Sequence, residues 1–160
     1  MLSLVDSILR YPSMKRFQET VEQEFAKLFD CERANFILVN RNSKELYRVV
    51  YDKENAEFKM KIFAFDAGVA GYVAFSAQTL FIDAVEEDNR YIKEIDDPQV
   101  GTTKAHQIVA APVFCSNDKF DTSLNSLASI PRAVISLINK HDLNGFNQAV
   151  RITHLSIYRT

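Results

Sequence analysis

The chain has 160 residues, 47% of them apolar, with 12 phenylalanines and a formal net charge of −2. That length and composition fit a single domain with a sizeable core, spanning residues 1–160. The balanced charge argues against a nucleic-acid polymer or an anionic membrane as partner. No apolar run reaches membrane-spanning length, so a cytoplasmic setting is expected.

Leu2, Val5, Ile8 and Leu9 recur at helical spacing and predict a connector helix over residues 1–11. Asp6 and Arg10 interrupt its apolar residues, unlike a secretory leader. Tyr11-Pro12 should end it, because proline disfavours helical geometry at the residue before it. A second helix is expected with Phe17, Val21, Phe25 and Leu28 on one face. Phe36 to Val39 reads as a central strand, Asn40 to Lys44 as a hairpin turn, and Leu46 to Tyr51 as the next strand. Phe58, Met60 and Ile62 alternate with Lys59 and Lys61, which predicts a strand with one buried and one wet face.

The segment from Phe65 to Asp83 is the most specific. Asp66 is a candidate N-cap. Gly68 and Gly71 sit at the start of a short helical pattern through Val69, Val73 and Phe75, and the strand Leu80–Ile82 is closed by Asp83. Glycines at a helix start let the backbone approach a ligand, or a neighbouring strand, closely. The free N–H groups there favour an anion. Next come a solvated loop, Glu86 to Arg90, and a helical turn, Tyr91 to Ile95, stopped by Asp97-Pro98 and Gly101. Ile108 to Phe114 and Ala133 to Ile138 read as strands around a long loop insertion at 115–131. Gly145-Phe146 opens a last helix over 145–160, with one apolar stripe through Val150 and Ile157 and a second through Ile152 and Leu155. Strands between helical ends predict an antiparallel α+β fold.

The Gly-x-x-Gly helix with its Leu80–Asp83 strand resembles the core of GAF domains. These are small-molecule sensor modules found beside phosphodiesterase, cyclase and kinase domains. Ala133 to Ile138, then Asn139-Lys140 and Phe146, is similar to their last strand. The resemblance runs from about Phe17 to Tyr158. It implies a six-stranded antiparallel sheet, with the N- and C-terminal helices on one face and short helices and loops over the other.

In cyclic-nucleotide binders of this class, the ligand lies under a helix and loop lid. Carried over by motif, the resemblance implies these roles. Asn35 meets the base, and Tyr51 with Asp52 forms an aromatic–acid pair. Val69 and Ala70 offer backbone to the phosphate. Tyr91 and Asp96 belong to the lid as stacker and reader, and Thr102 or Thr103 is a lid threonine. Ser136 lies on the last strand, where the binders often carry Glu. A second departure is Val150-Arg151, which stands where the phosphodiesterase-type motif has Asp-Glu. Lys140 must therefore find another partner, Asp142 or water. Bland alternatives stay open at several of these positions. Gly68 and Gly71 would serve tight packing, Tyr51 and Tyr91 would be core or rim aromatics, and Asp96 and Asp97 would be turn or cap residues.

Catalysis is not expected. His106, His141 and His154 make no metal pair, and no nucleophile elbow or P-loop is present. Cys31 and Cys115 read as separate reduced thiols with no disulfide, no metal and no cofactor. They do not match the pattern of the enzymatic members of the class, the free methionine sulfoxide reductases. The resemblance thus implies a non-catalytic regulatory domain of a cytosolic signalling protein. It would bind a small molecule, cyclic AMP or cyclic GMP first, and control a linked phosphodiesterase or cyclase. The alternative is a dimerisation module with a vestigial pocket; thiol-based reductase chemistry is the minor one. A homodimer through Leu2, Val5, Leu9, Ile152 and Leu155 is expected, with further domains as neighbours.

Overall fold

The computed structural model describes residues 4–98, 103–114, 130–142 and 145–146, with side chains from Pro12 onward. Cys115, Thr102, Val150-Arg151 and both stripes of the last helix lie outside the described residues, and so does most of the 115–131 loop. The elements in order are α1 (Leu4–Leu28), β1 (Cys31–Asn40), β2 (Glu45–Asp52), β3 (Glu57–Ala64), α2 (Gly68–Ser76), β4 (Leu80–Ile82), α3 (Lys93–Asp96), β5 (Ile108–Val113) and β6 (Ala133–Lys140). The strands form one six-stranded sheet in the order β3-β2-β1-β6-β5-β4, and every pairing is antiparallel. The α+β expectation holds.

β6 sits in the middle and is buried on both faces. Val134 and Ile138 pack with Val69, Val73, Ile37 and Ile108 on the α2 side. Ile135 and Leu137 pack with Phe29, Phe36 and Phe146 on the other, beside Val21 and Phe25 of α1.

Three expectations need correction. The first helix does not end at Pro12; α1 runs through it. An interior proline removes one N–H bond and crowds one carbonyl, at about 3 kcal/mol, but it leaves the flanking turns intact. Second, the Phe17–Leu28 stripe is only in part the face that α1 buries: Val21 and Phe25 pack on the sheet, but the two ends of the stripe do not. Phe17 is 57% and Leu28 70% exposed, whereas Gln18 and Glu22 are buried. The cause lies in the sheet. β2 pairs with β3 over its whole length, from Glu45 to Asp52, but its register with β1 covers only Leu38–Asn40 against Glu45–Tyr47. Before Leu38 in β1 and after Tyr47 in β2 the two strands part, and their N–H groups need other acceptors. The Phe36 N–H donates to Glu22 Oε1 at 3.0 Å, and the Val49 N–H to Gln18 Oε1 at 3.2 Å. Third, Met60 and Ile62 are exposed, because β3 is an edge strand of the sheet.

The Asn139-Lys140 pair has a structural task. Asn139 adopts φ +52°. Its Oδ1 accepts from the His106 and Gln107 N–H groups at 2.8 and 3.2 Å, and its Nδ2 donates to Glu32 Oε2 and the Lys104 carbonyl, both at 2.9 Å. The sequence predicts Asp142 or water as the partner of Lys140. Instead its Nζ donates to the Phe29 carbonyl at 2.7 Å and lies 3.8 Å from Asp30, which pins β6 to the end of α1.

Candidate functional site

The site forms around the N-terminus of α2. Asp66 is not the N-cap: Ala67 holds that position and offers no side-chain bond. The cap comes from Asp96, at the end of α3. Its Oδ2 accepts from the Val69 N–H at 3.0 Å, and its Oδ1 from the Ala70 N–H at 3.0 Å. Oδ2 also accepts from the Ile92 N–H at 2.8 Å. The residue is 0% exposed. A carboxylate therefore lies on the free N–H groups where an anion is favoured, and it belongs to the chain itself.

The two glycines now have separate reasons. Gly68 has φ +74°, and a Cβ there would stand 2.8 Å from Asp96 Oδ2. Gly71 is a packing glycine, because its Cβ would stand 2.6 Å from the Asp66 carbonyl carbon and 2.9 Å from the Phe65 carbonyl oxygen. Both neighbours are backbone, so the clash cannot be relieved by a rotamer. Gly71→Ala is expected to lower stability by about 1–3 kcal/mol, read as a lower urea midpoint at an unchanged slope.

Asn35 and Ser136 stand opposite each other across β1 and β6 and are both buried. Asn35 is spent on the chain. Its Nδ2 donates to the Ile95 and Asp96 carbonyls at 2.9 and 3.2 Å, and its Oδ1 accepts from Arg48 Nη1. Arg48 also pairs with Glu22 at 3.0 Å. Beside this group Arg33 grips Asp97 through Nε and Nη2, at 2.8 and 2.6 Å. Its Nη2 also donates to the Thr103 carbonyl at 2.6 Å. Tyr91 is half-buried beside the α2-side core. Burial, with the nearby Asp97 and Asp96 charges, pushes its hydroxyl up to about 12.

The structure thus brings Asn35, Val69, Ala70, Asp96 and Ser136 together, with Tyr91 at their edge. Tyr51 and Asp52 do not join them. Tyr51 is 48% exposed and sets its ring 5.1 Å from that of Phe58. Asp52 organises the β2–β3 turn, bonding Lys59 Nζ at 2.5 Å and Asn55 at 2.8 Å; those two partners hold its carboxyl below the usual range. Thr103 contributes its carbonyl, and its side chain is exposed. Sequence reasoning missed Gln18, Glu22, Arg33 and Arg48. The available signal was phase: Arg33 interrupts the apolar run of β1, and Arg48 shares the alternation of buried Leu46.

Burial is the largest influence on both buried acids, and it pushes Asp96 and Glu22 above the usual carboxylate range. An acid raised in the fold holds its proton more tightly there than in the unfolded chain. Its contribution is fully present below the unfolded pKa, near 4, and is lost as pH rises through the folded value. Asp96→Asn removes that loss. The stability of the variant relative to wild type should therefore improve as pH rises from about 4 toward 7. The opposite trend in urea midpoints would mean that the three N–H donors outweigh burial.

Among the described residues no group of three or more His, Cys, Asp and Glu could hold a metal ion, and no helix is long and apolar enough to cross a membrane. Cys31 is buried, and that burial pushes its thiol up to about 11.

No family model matches the chain. Pde-5 of Caenorhabditis elegans, a probable 3',5'-cyclic phosphodiesterase, is 29% identical over 126 residues; the match covers 72% of this chain and spans only 15% of that protein. Among solved structures, the GAF domain of an Acinetobacter phosphoenolpyruvate-protein phosphotransferase superposes with a TM-score of 0.57 at 11% identity, covering 98% of this chain and 89% of that one. The free methionine-R-sulfoxide reductase of Neisseria meningitidis, solved with its substrate, gives 0.53 at 15%, covering 92% and 74%. The A. aeolicus nlh2 GAF domain in an inactive state gives 0.52 at 14%, covering 94% and 78%. The chain has the GAF fold. The resemblance read from Gly68–Asp83 and Ala133–Lys140 is borne out at that level.

Proposed function

We propose that this is a non-catalytic regulatory GAF domain of a larger cyclic-nucleotide signalling protein, and that its small-molecule pocket is occupied by its own Asp96. The observation that carries this reading is the Asp96 carboxylate on the Val69 and Ala70 N–H groups. Gly68 leaves room for that carboxylate, and Asn35 is committed to the lid carbonyls. A phosphate would have to displace a buried charge that already satisfies three donors. The domain then acts through its packing and assembly, including the expected homodimer, on a linked phosphodiesterase or cyclase. The similarity to pde-5 supports that setting.

A second reading is favoured by the convergence of Asn35, Val69, Ala70 and Ser136. In it, cyclic GMP or cyclic AMP is a ligand that displaces Asp96. Calorimetric titration separates the two. Under the first reading, neither nucleotide gives saturable heat with the wild-type chain at concentrations up to about 1 mM, which corresponds to no binding stronger than roughly −4 kcal/mol. Saturable micromolar binding would overturn it in favour of the second. Thiol reductase chemistry has less support, since the Cys31 thiol is buried and poorly ionised.

A further inference from the structure

The Asp96 cap is joined to α1 by an unbroken chain of buried polar groups. Asp96 and Ile95 offer their carbonyls to Asn35 Nδ2. Asn35 Oδ1 accepts from Arg48 Nη1, and Arg48 Nη2 pairs with Glu22 at 3.0 Å. The same Glu22 oxygen, Oε1, takes the Phe36 N–H. Gln18, one turn earlier on α1, takes the Val49 N–H. The side chains of Glu22 and Arg48 are 9% and 5% exposed, and Asn35 is 2% exposed. This chain crosses the sheet where β1 and β2 part, so α1 stands in for the missing ladder. Breaking one link alone would strand a buried donor or acceptor, which is costly, whereas opening all of them lets water reach each group.

We infer that the Glu22–Arg48–Asn35–Asp96 chain makes the seating of α1 and the capping of α2 a single cooperative unit, so that α1 cannot loosen without releasing Asp96. The inference rests on the self-capped pocket proposed above. It gives the domain a route from helix to pocket that runs through the gap between β1 and β2. Coupling of this kind is reciprocal, and that reciprocity supplies the test.

Native-state amide hydrogen exchange on the whole 160-residue chain reads both ends at once. Phe36 and Val49 report on α1, Val69 and Ala70 report on the cap, and the amides of β6 serve as reference. Glu22→Gln and Asp96→Asn preserve shape at opposite ends. Each is expected to lower protection at all four amides by about tenfold or more relative to β6. A loss confined to the altered end overturns the coupling while leaving the self-capped pocket in place. A loss shared equally by β6 also overturns it, because the chain would then open only with the whole fold. If Asp96→Asn leaves Val69 and Ala70 fully protected, the self-capping itself is wrong. Either variant decides alone, so a failure of one to fold leaves the other as the test.

Discussion

Asp96→Ala should destabilise the domain by about 4 kcal/mol. Two buried N–H groups, those of Val69 and Ala70, and the part-buried N–H of Ile92 lose their acceptor. Each unsatisfied buried donor costs about 1–3 kcal/mol, with part recovered when water enters. The Asp96 carboxylate is also what stands nearest to Gly68, so the vacated space opens directly at the helix start. Asp96→Asn keeps one oxygen and should cost less than half as much. The check is urea unfolding of both variants. A loss under about 1 kcal/mol for the alanine variant would mean that the α2 amides find other partners.

Arg33→Met should cost a similar amount, about 3–5 kcal/mol, because it leaves the Asp97 carboxylate buried and unpaired. The two side chains are 6% and 4% exposed and share two bonds. Arg33 also holds the Thr103 carbonyl, so the segment after α3 should loosen with it. Adding Asp97→Leu to Arg33→Met should recover most of the loss, since an apolar pair of similar volume tolerates burial well. If the double variant is as unstable as the single one, the ion pair is not what holds this corner. Stability at several urea concentrations for the four members of the cycle decides between these outcomes.

Much of the sheet was legible because its cues are local. The strand Leu80–Ile82 lies between turn residues and came out as read. β6 announced itself as an apolar run broken only by Ser136, which is what burial on both faces requires. The short helix after Gly68 was marked by its glycines. What escaped depended on partners far along the chain. The acid that caps α2 lies 27 residues beyond Val69, while the adjacent Asp66 was the obvious local candidate. Gln18 and Glu22 looked like solvent-facing polar residues. They are buried because β1 and β2 are parted before Leu38 and after Tyr47, and no helical periodicity in α1 reports a gap in a sheet. Of the apolar stripe, Val21 and Phe25 pack on the core, while Phe17 and Leu28 at its ends stay mostly exposed. In the site, Asn35 and Ser136 came together because strand register is strongly constrained in a core buried on both faces. Tyr51 and Asp52 did not join them, because the β2–β3 hairpin leaves the sheet just before it reaches the pocket.

The occupant of the Val69 and Ala70 amides decides between a self-capped and a ligand-filled pocket. A crystal structure of the chain grown with about 5 mM cyclic GMP, a concentration well above a typical regulatory affinity, answers that directly. The expected result is the Asp96 carboxylate within hydrogen-bond distance of both amides, with no phosphate there. A nucleotide phosphate on those two amides, with Asp96 swung away, would contradict it.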